Sequence, residues 1–161
     1  MASLLAFLTL GLPALADKVS ELQSRFDKEN RGSAKVKALQ KLAEAQFEAA
    51  SKADAQSDYV TVGLTFEKYR DNIREAFELL KKQEPDADRH PGSYRQLELQ
   101  TRKGIREVEE TLVVVSAEMR PPLEIVRKDL LAIDDELIQL LFPKRSKDPP
   151  PKPASTGEVK P

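Results

Sequence analysis

The sequence predicts an all-α fold: an antiparallel helical bundle of three to four long helices plus a short N-terminal helix, with a disordered Pro/Lys-rich C-terminal tail. Three observations predict it. Apolar residues recur at steps of three and four between Pro- and Gly-rich breaks, the period of a helix with one buried face. The segments between breaks are long, about 24 residues or roughly 36 Å at 1.5 Å per residue, and their connections are short. Helices of that length exceed those of 34-residue tetratricopeptide units. Charged residues make up 33% of the 161 residues and hydrophobic ones 40%, which matches helices that are wet on one side only.

The first sixteen residues, MASLLAFLTLGLPALA, differ in kind from the rest. No charge precedes Asp17, an apolar run ends at Pro13, and Ala14-Leu15-Ala16 fits the small-x-small rule of signal peptidase. Residues 1–16 are therefore expected to be a cleaved signal peptide, with Asp17 as the new N-terminus; the alternative is a short buried N-terminal helix in a cytoplasmic protein. No Lys or Arg stands before the apolar run, the one departure from a signal peptide's pattern. The segment is short of the roughly 20 apolar residues of a membrane span, so no stable transmembrane anchor is expected after cleavage.

Residues 17–142 are expected to form the bundle. Ser20-Glu-Leu-Gln23 has the form of a capping box, with Val19, Leu22 and Phe26 as a short apolar face. Gly32 is expected to stop that helix and Ser33 to cap the next, which carries Val36, Leu39, Ala43, Phe47 and Ala50 to about Ala55. Asp58 is expected to cap a third helix running to about Gln83. Residues 84–92, with two prolines and a glycine, read as a loop. Ser93-Tyr-Arg-Gln96 is a second capping box, opening a helix with Tyr94, Leu97, Thr101, Ile105, Val108, Leu112 and Val115. Arg120-Pro-Pro122 closes that connection, and Leu123, Val126, Leu130, Ile133, Leu137 and Leu140 mark the last helix. Residues 143–161 offer nothing to bury and are expected to be disordered, with polyproline II character around Pro149 to Pro153.

The most distinctive stretch lines up Tyr59, Val62, Phe66, Tyr69, Ile73, Phe77 and Leu80. At that spacing it is a bundle core, because the residues between are Glu, Lys, Arg and Asp and no polar groups share the stripe. Gly63 and Gly104 sit mid-helix beside core positions, where each costs about 1 kcal/mol relative to Ala. A tight helix crossing or plain tolerance is the expected reason, with close backbone approach to a partner or ligand as the alternative. Glu21/Arg25, Glu48/Lys52, Glu78/Lys82, Glu98/Arg102 and Glu124/Lys128 place Glu four residues before a base, as on solvated helix faces. Residues 69–80 and 101–112 share Arg, Ile, Arg, Glu, Glu and Leu, either by duplication of a helix or through common amphipathic composition.

Several chemistries are excluded. A net charge of −1 supplies no global field for nucleic acid or a membrane surface. With no cysteine there is no disulfide, thiolate catalysis or cysteine zinc site. His90 is alone in its loop, Glu-x-x-His is absent, and so are phosphate loops and nucleophile elbows. Asp134, Asp135 and Glu136 splay around their helix, and Glu107 and Glu110 are flanked by Lys103 and Arg106. No enzymatic activity and no cofactor is expected.

Glu67, Asp71 and Glu75, spaced four apart, form one ridge that offers a divalent cation or small cationic ligand a place to bind. Lys68, Arg70 and Arg74 stand beside it to neutralise it. The tail from Lys144 carries five bases against two acids, which suits an anionic surface or a polyproline-reading domain.

The run KALQKLAEAQFEAASKADAQSDYVTVGLTFEKYRDNIREAFELL, residues 37–80, resembles the helical hairpins of bacterial extracytoplasmic domains of unknown function. In those an Ala/Leu-rich helix and a short turn precede a helix with a Tyr midway. The resemblance implies an envelope protein and supplies no catalytic residues. The functional expectation is thus a periplasmic or secreted, non-enzymatic helical protein with coiled-coil-like packing. It would act through contact with a protein partner in the envelope or with a second copy of itself. A carboxylate-ridge protein for a cation is the alternative.

Overall fold

The computed structural model describes residues 12–143, with side chains from residue 14, and its fold is all-α. Five helices carry it: α1 (Leu12–Lys28), α2 (Gly32–Ala55), α3 (Tyr59–Gln83), α4 (Pro91–Val114) and α5 (Arg120–Leu141). A single 3-10 turn, Ala117–Met119, precedes α5. Among the described residues there is no strand, and no helix is long and apolar enough to cross a membrane. The first eleven residues of the expected signal peptide, and the expected tail from residue 144, lie outside the described residues.

Side-chain pairing defines the topology. Lys35 meets Glu75 while Phe47 lies against Phe66, so α2 and α3 are antiparallel. Arg127 meets Glu109 while Arg102 approaches Asp134, so α4 and α5 are antiparallel too. Between the two hairpins the sense reverses. Arg74 binds Asp129 and Lys81 binds Glu136 at the same offset of 55 residues, so α3 and α5 run in parallel. α1 lies antiparallel to α2, with Lys18 near Glu48 and Phe26 under Lys35.

The predicted stripe is the core. Val62, Phe66, Tyr69, Ile73, Phe77 and Leu80 are buried, and Tyr59 packs at its margin. Phe47 of α2 meets the Tyr69 ring at 4.8 Å between centroids, tilted by 51°, a favoured aromatic geometry. Gly104 is the tight crossing: a Cβ there would stand 2.1 Å from the Tyr69 ring. The missing side chain lets the ring lie on α4, where the Tyr69 hydroxyl donates to the Gln100 carbonyl at 2.6 Å. A Cβ at Gly63 would meet nothing within 4 Å, so that glycine is merely tolerated. The two segments with shared residues fall on α3 and α4, with Ile73 and Ile105 both buried.

Four expected helix ends are displaced. α1 begins at Leu12, so Ser20 lies inside it and caps nothing. α2 begins at Gly32, with Arg31 at its N-cap and no side-chain cap bond, so Gly32 starts a helix where a stop was expected and Ser33 is no cap. The reason is tertiary. A Cβ at Gly32 would stand 2.8 Å from Leu80 Cα, so only glycine fits against the end of α3. Gln83 does the capping from a distance, accepting from the Gly32 N–H and donating to the Asn30 carbonyl, both at 2.7 Å. α4 begins at Pro91, whose fixed φ and missing N–H suit a first turn, and Gln96 reaches Gln40 rather than closing a box with Ser93. The same physics puts Pro121 and Pro122 inside the first turn of α5. Asp58, by contrast, caps α3 as expected, accepting from the Thr61 N–H at 3.1 Å, and α3 ends at Gln83.

Candidate functional site

Two hairpins joined in this sense bring four helix termini to one end: the C-termini of α2 and α4 and the N-termini of α3 and α5. That end carries an unusual concentration of exposed apolar side chains. Val60 and Leu64, one turn apart on the outward face of α3, are 64% and 61% exposed. Val113 and Val114, where α4 ends, are 78% and 61% exposed. Val115 beside them is buried and satisfies the core, so the neighbouring valines are surplus to packing. The sequence held the signal: Val60 and Leu64 repeat at four residues, off the stripe.

Beside these valines a cavity of about 220 Å³ opens between α2, α3 and α4. Phe47 and Phe66 line it with Asp54, Glu107, Glu110, Thr111 and Val114. None of the three carboxylates has an ion-pair partner among the described residues. The Glu107 charge adds to burial in raising the Tyr69 hydroxyl's pKa well above its ordinary value, so Tyr69 stays a donor. Lys103, whose ammonium stands 5.4 Å from the Phe47 ring centroid, is the nearest described cation on that ring. Sequence reading passed over this grouping because Asp54 joins the two glutamates only through the packing of α2 on α4.

The predicted ridge looks different in space. Glu67, Asp71 and Glu75 stay on one side of α3, but two of them are engaged elsewhere. Asp71 accepts from Arg70 at 2.9 Å and lies 3.6 Å from Arg74, and Glu75 holds the buried ammonium of Lys35. Among the described residues no group of three or more acidic, His or Cys side chains converges on a metal position. Ala14, Ala16 and Asp17 are exposed in the first turns of α1, which runs through the expected cleavage point without a break. His90 is the N-cap residue of α4, its ring 4.0 Å from Glu84.

Asp134 is the most unusual carboxylate. It is 9% exposed at the α4–α5 seam, its Oδ1 has no hydrogen-bond partner, and its Oδ2 lies 3.7 Å from Arg102. Burial raises its pKa against the opposing pull of Arg102, and Glu98 and Asp135 push the same way as burial. Asp135 is exposed and Glu136 pairs with Lys81 at 2.9 Å, so the three consecutive acids do diverge.

In comparisons with known proteins, no family model, no curated protein and no solved structure matches the chain.

Proposed function

We propose that this is a non-enzymatic helical protein that acts by contact with another protein of the cell envelope, as a scaffold, a chaperone-like holder or a regulatory subunit. The observation that carries the reading is the apolar end, where Val60, Leu64, Val113 and Val114 remain in water after the core is complete. Exposed apolar side chains concentrated at one end of a bundle are candidate contact points in a way that singly scattered ones are not. The signal-like first sixteen residues support a periplasmic or secreted location.

In-cell crosslinking of the tagged full chain, beside a Leu64→Asp/Val113→Asp variant, tests the reading. Recurrent capture of one envelope protein by a species starting at Asp17 is expected, falling by roughly tenfold in a variant that melts as the parent does. Equal capture by both proteins would remove the apolar end as the contact. Capture of a second copy would make the contact a homo-oligomer. Cytoplasmic partners on a species retaining Met1 would remove the envelope.

A cation-binding reading is favoured by the end cavity rather than by the ridge. Three carboxylates over an aromatic floor suit a small organic cation, which both charge and ring faces attract. Titration of the full chain with spermidine would raise its melting temperature if it binds the folded state. The shift should disappear in Glu107→Gln/Glu110→Gln. A flat response discards this reading.

A further inference from the structure

We propose that α1 is a releasable latch, and that the face of α2 and α3 beneath it is an acceptor for an amphipathic helix of which α1 is the resident occupant. This inference is independent of the apolar end. α2 is buried on two sides: Val36, Leu39, Ala43, Phe47 and Ala50 serve the stripe expected from sequence. A second stripe, Lys35, Leu42, Ala45, Gln46 and Ala53, is also buried. Lys35 on that stripe places its ammonium 4.5 Å from the centroid of the Phe26 ring of α1.

The chemistry under α1 is unlike that of the remaining core. Lys35, Gln46 and Asn72 are three of five buried polar or charged residues in the described chain. Asn72, fully buried, exchanges two hydrogen bonds with Gln23 of α1, both 3.0 Å. Gln46 Oε1 has no hydrogen-bond partner with α1 docked, and its residue lines a cavity of about 590 Å³ with Val19, Ser20 and Gln23. Among the α1 side chains described, from Ala14 on, only Leu15 and Phe26 are buried, and Leu15 lies within the expected signal peptide. When α1 leaves, water replaces Gln23 on Asn72 and reaches Gln46, while Lys35 keeps Glu75. The uncovered face thus meets solvent without orphaned polar groups. An occupant is specified by the resident: a helix with a carboxamide at one position and an aromatic ring three residues on, as Gln23 and Phe26 are.

Hydrogen exchange of the full chain, read by mass spectrometry, tests the latch. Amides from α1 are expected to exchange in one common step, at least ~10-fold faster than those at the centres of α3 and α4. Asn72→Ala should accelerate α1 alone. A gradient of protection falling steadily from Lys28 to Asp17 would mean ordinary end fraying and overturn the latch. Exchange of α1 in step with α3 would overturn it as well. For the acceptor, a labelled peptide of residues 17–28, the part of α1 that follows the expected cleavage point, is added to the full chain carrying Phe26→Ala, and anisotropy is followed. Saturable binding, at least ~10-fold weaker to a chain carrying Asn72→Ala as well, is expected for a site read by hydrogen bond and ring. Absence of binding would leave α2 and α3 as packing surface only and overturn the acceptor.

Discussion

The two sides of the α2–α3 hairpin do the same job with different materials. Toward α4 and α5, the hairpin offers Phe47, Tyr69, Ile73, Phe77 and Leu80, met by Leu97, Val108, Leu123 and Leu130. Toward α1 it offers alanines, Leu42 and the polar side chains of Lys35, Gln46 and Asn72. Large apolar side chains contribute about 1.5–3 kcal/mol each on burial, whereas a satisfied buried polar pair gives little net stability. What the polar pair supplies is register, because Gln23 and Asn72 satisfy each other in one position of α1 only. The contrast teaches that burial alone does not measure how firmly an element is held.

Matched phenylalanine deletions test that contrast at its largest. Phe77→Ala, in the inter-hairpin core, is expected to lower global stability by about 3–5 kcal/mol in urea unfolding. Phe26→Ala removes the same ring from the α1 side. It is expected to loosen α1 while leaving the main transition close to that of the parent. Equal losses in both variants would show one cooperative core and erase the distinction.

A smaller effect separates the two mid-helix glycines. Gly104→Ala forces a Cβ into the Tyr69 ring and is expected to cost about 1–3 kcal/mol, as overpacking does. Gly63→Ala meets open space and should add about 0.5–1 kcal/mol through helix propensity. Thermal unfolding of the two variants should therefore move in opposite directions. A loss at Gly63 would reveal a close approach at the apolar end.

Asp134 gives the finest test, within the better-packed side. Its folded-state pKa lies above the unfolded value near 3.8. The folded chain therefore holds this proton more tightly than the unfolded one does. Its contribution to stability is complete below the unfolded value, falls as pH rises through the raised folded value, and is level beyond it. Asp134→Asn should remove that downward slope from the urea midpoint measured against pH. An unchanged slope would mean that Arg102 compensates the burial.

Much of the architecture was legible because it depends on short-range periodicity. The stripe from Tyr59 to Leu80, the Asp58 cap and the α3 end at Gln83 are local patterns, and they appear where expected. The capping boxes at Ser20 and Ser93 are equally local patterns, yet neither caps a helix. Leu12 to Val19 continue α1 upstream of the first, and Pro91 starts α4 ahead of the second. Glu67, Asp71 and Glu75 share one side of α3, as their spacing of four requires. Two of them, Asp71 and Glu75, are nonetheless drawn into pairs with Arg70 and Lys35, which sequence spacing weighs poorly against cross-helix reach.

By itself, then, the sequence determined the helical class, the length of α3 and the face it buries, since 3.6-residue periodicity and a side-chain cap act within one helix. It also determined the absence of thiol chemistry. Only the tertiary structure decided that the two hairpins cross with α3 parallel to α5, that Gln83 caps α2 from 51 residues away, and that α2 buries a second, alanine-rich face. Those outcomes depend on which surfaces fit at close range. Gly32 against Leu80 and Gly104 against Tyr69 are contacts between residues far apart in the chain, and a one-dimensional pattern of apolar and polar residues carries no record of them.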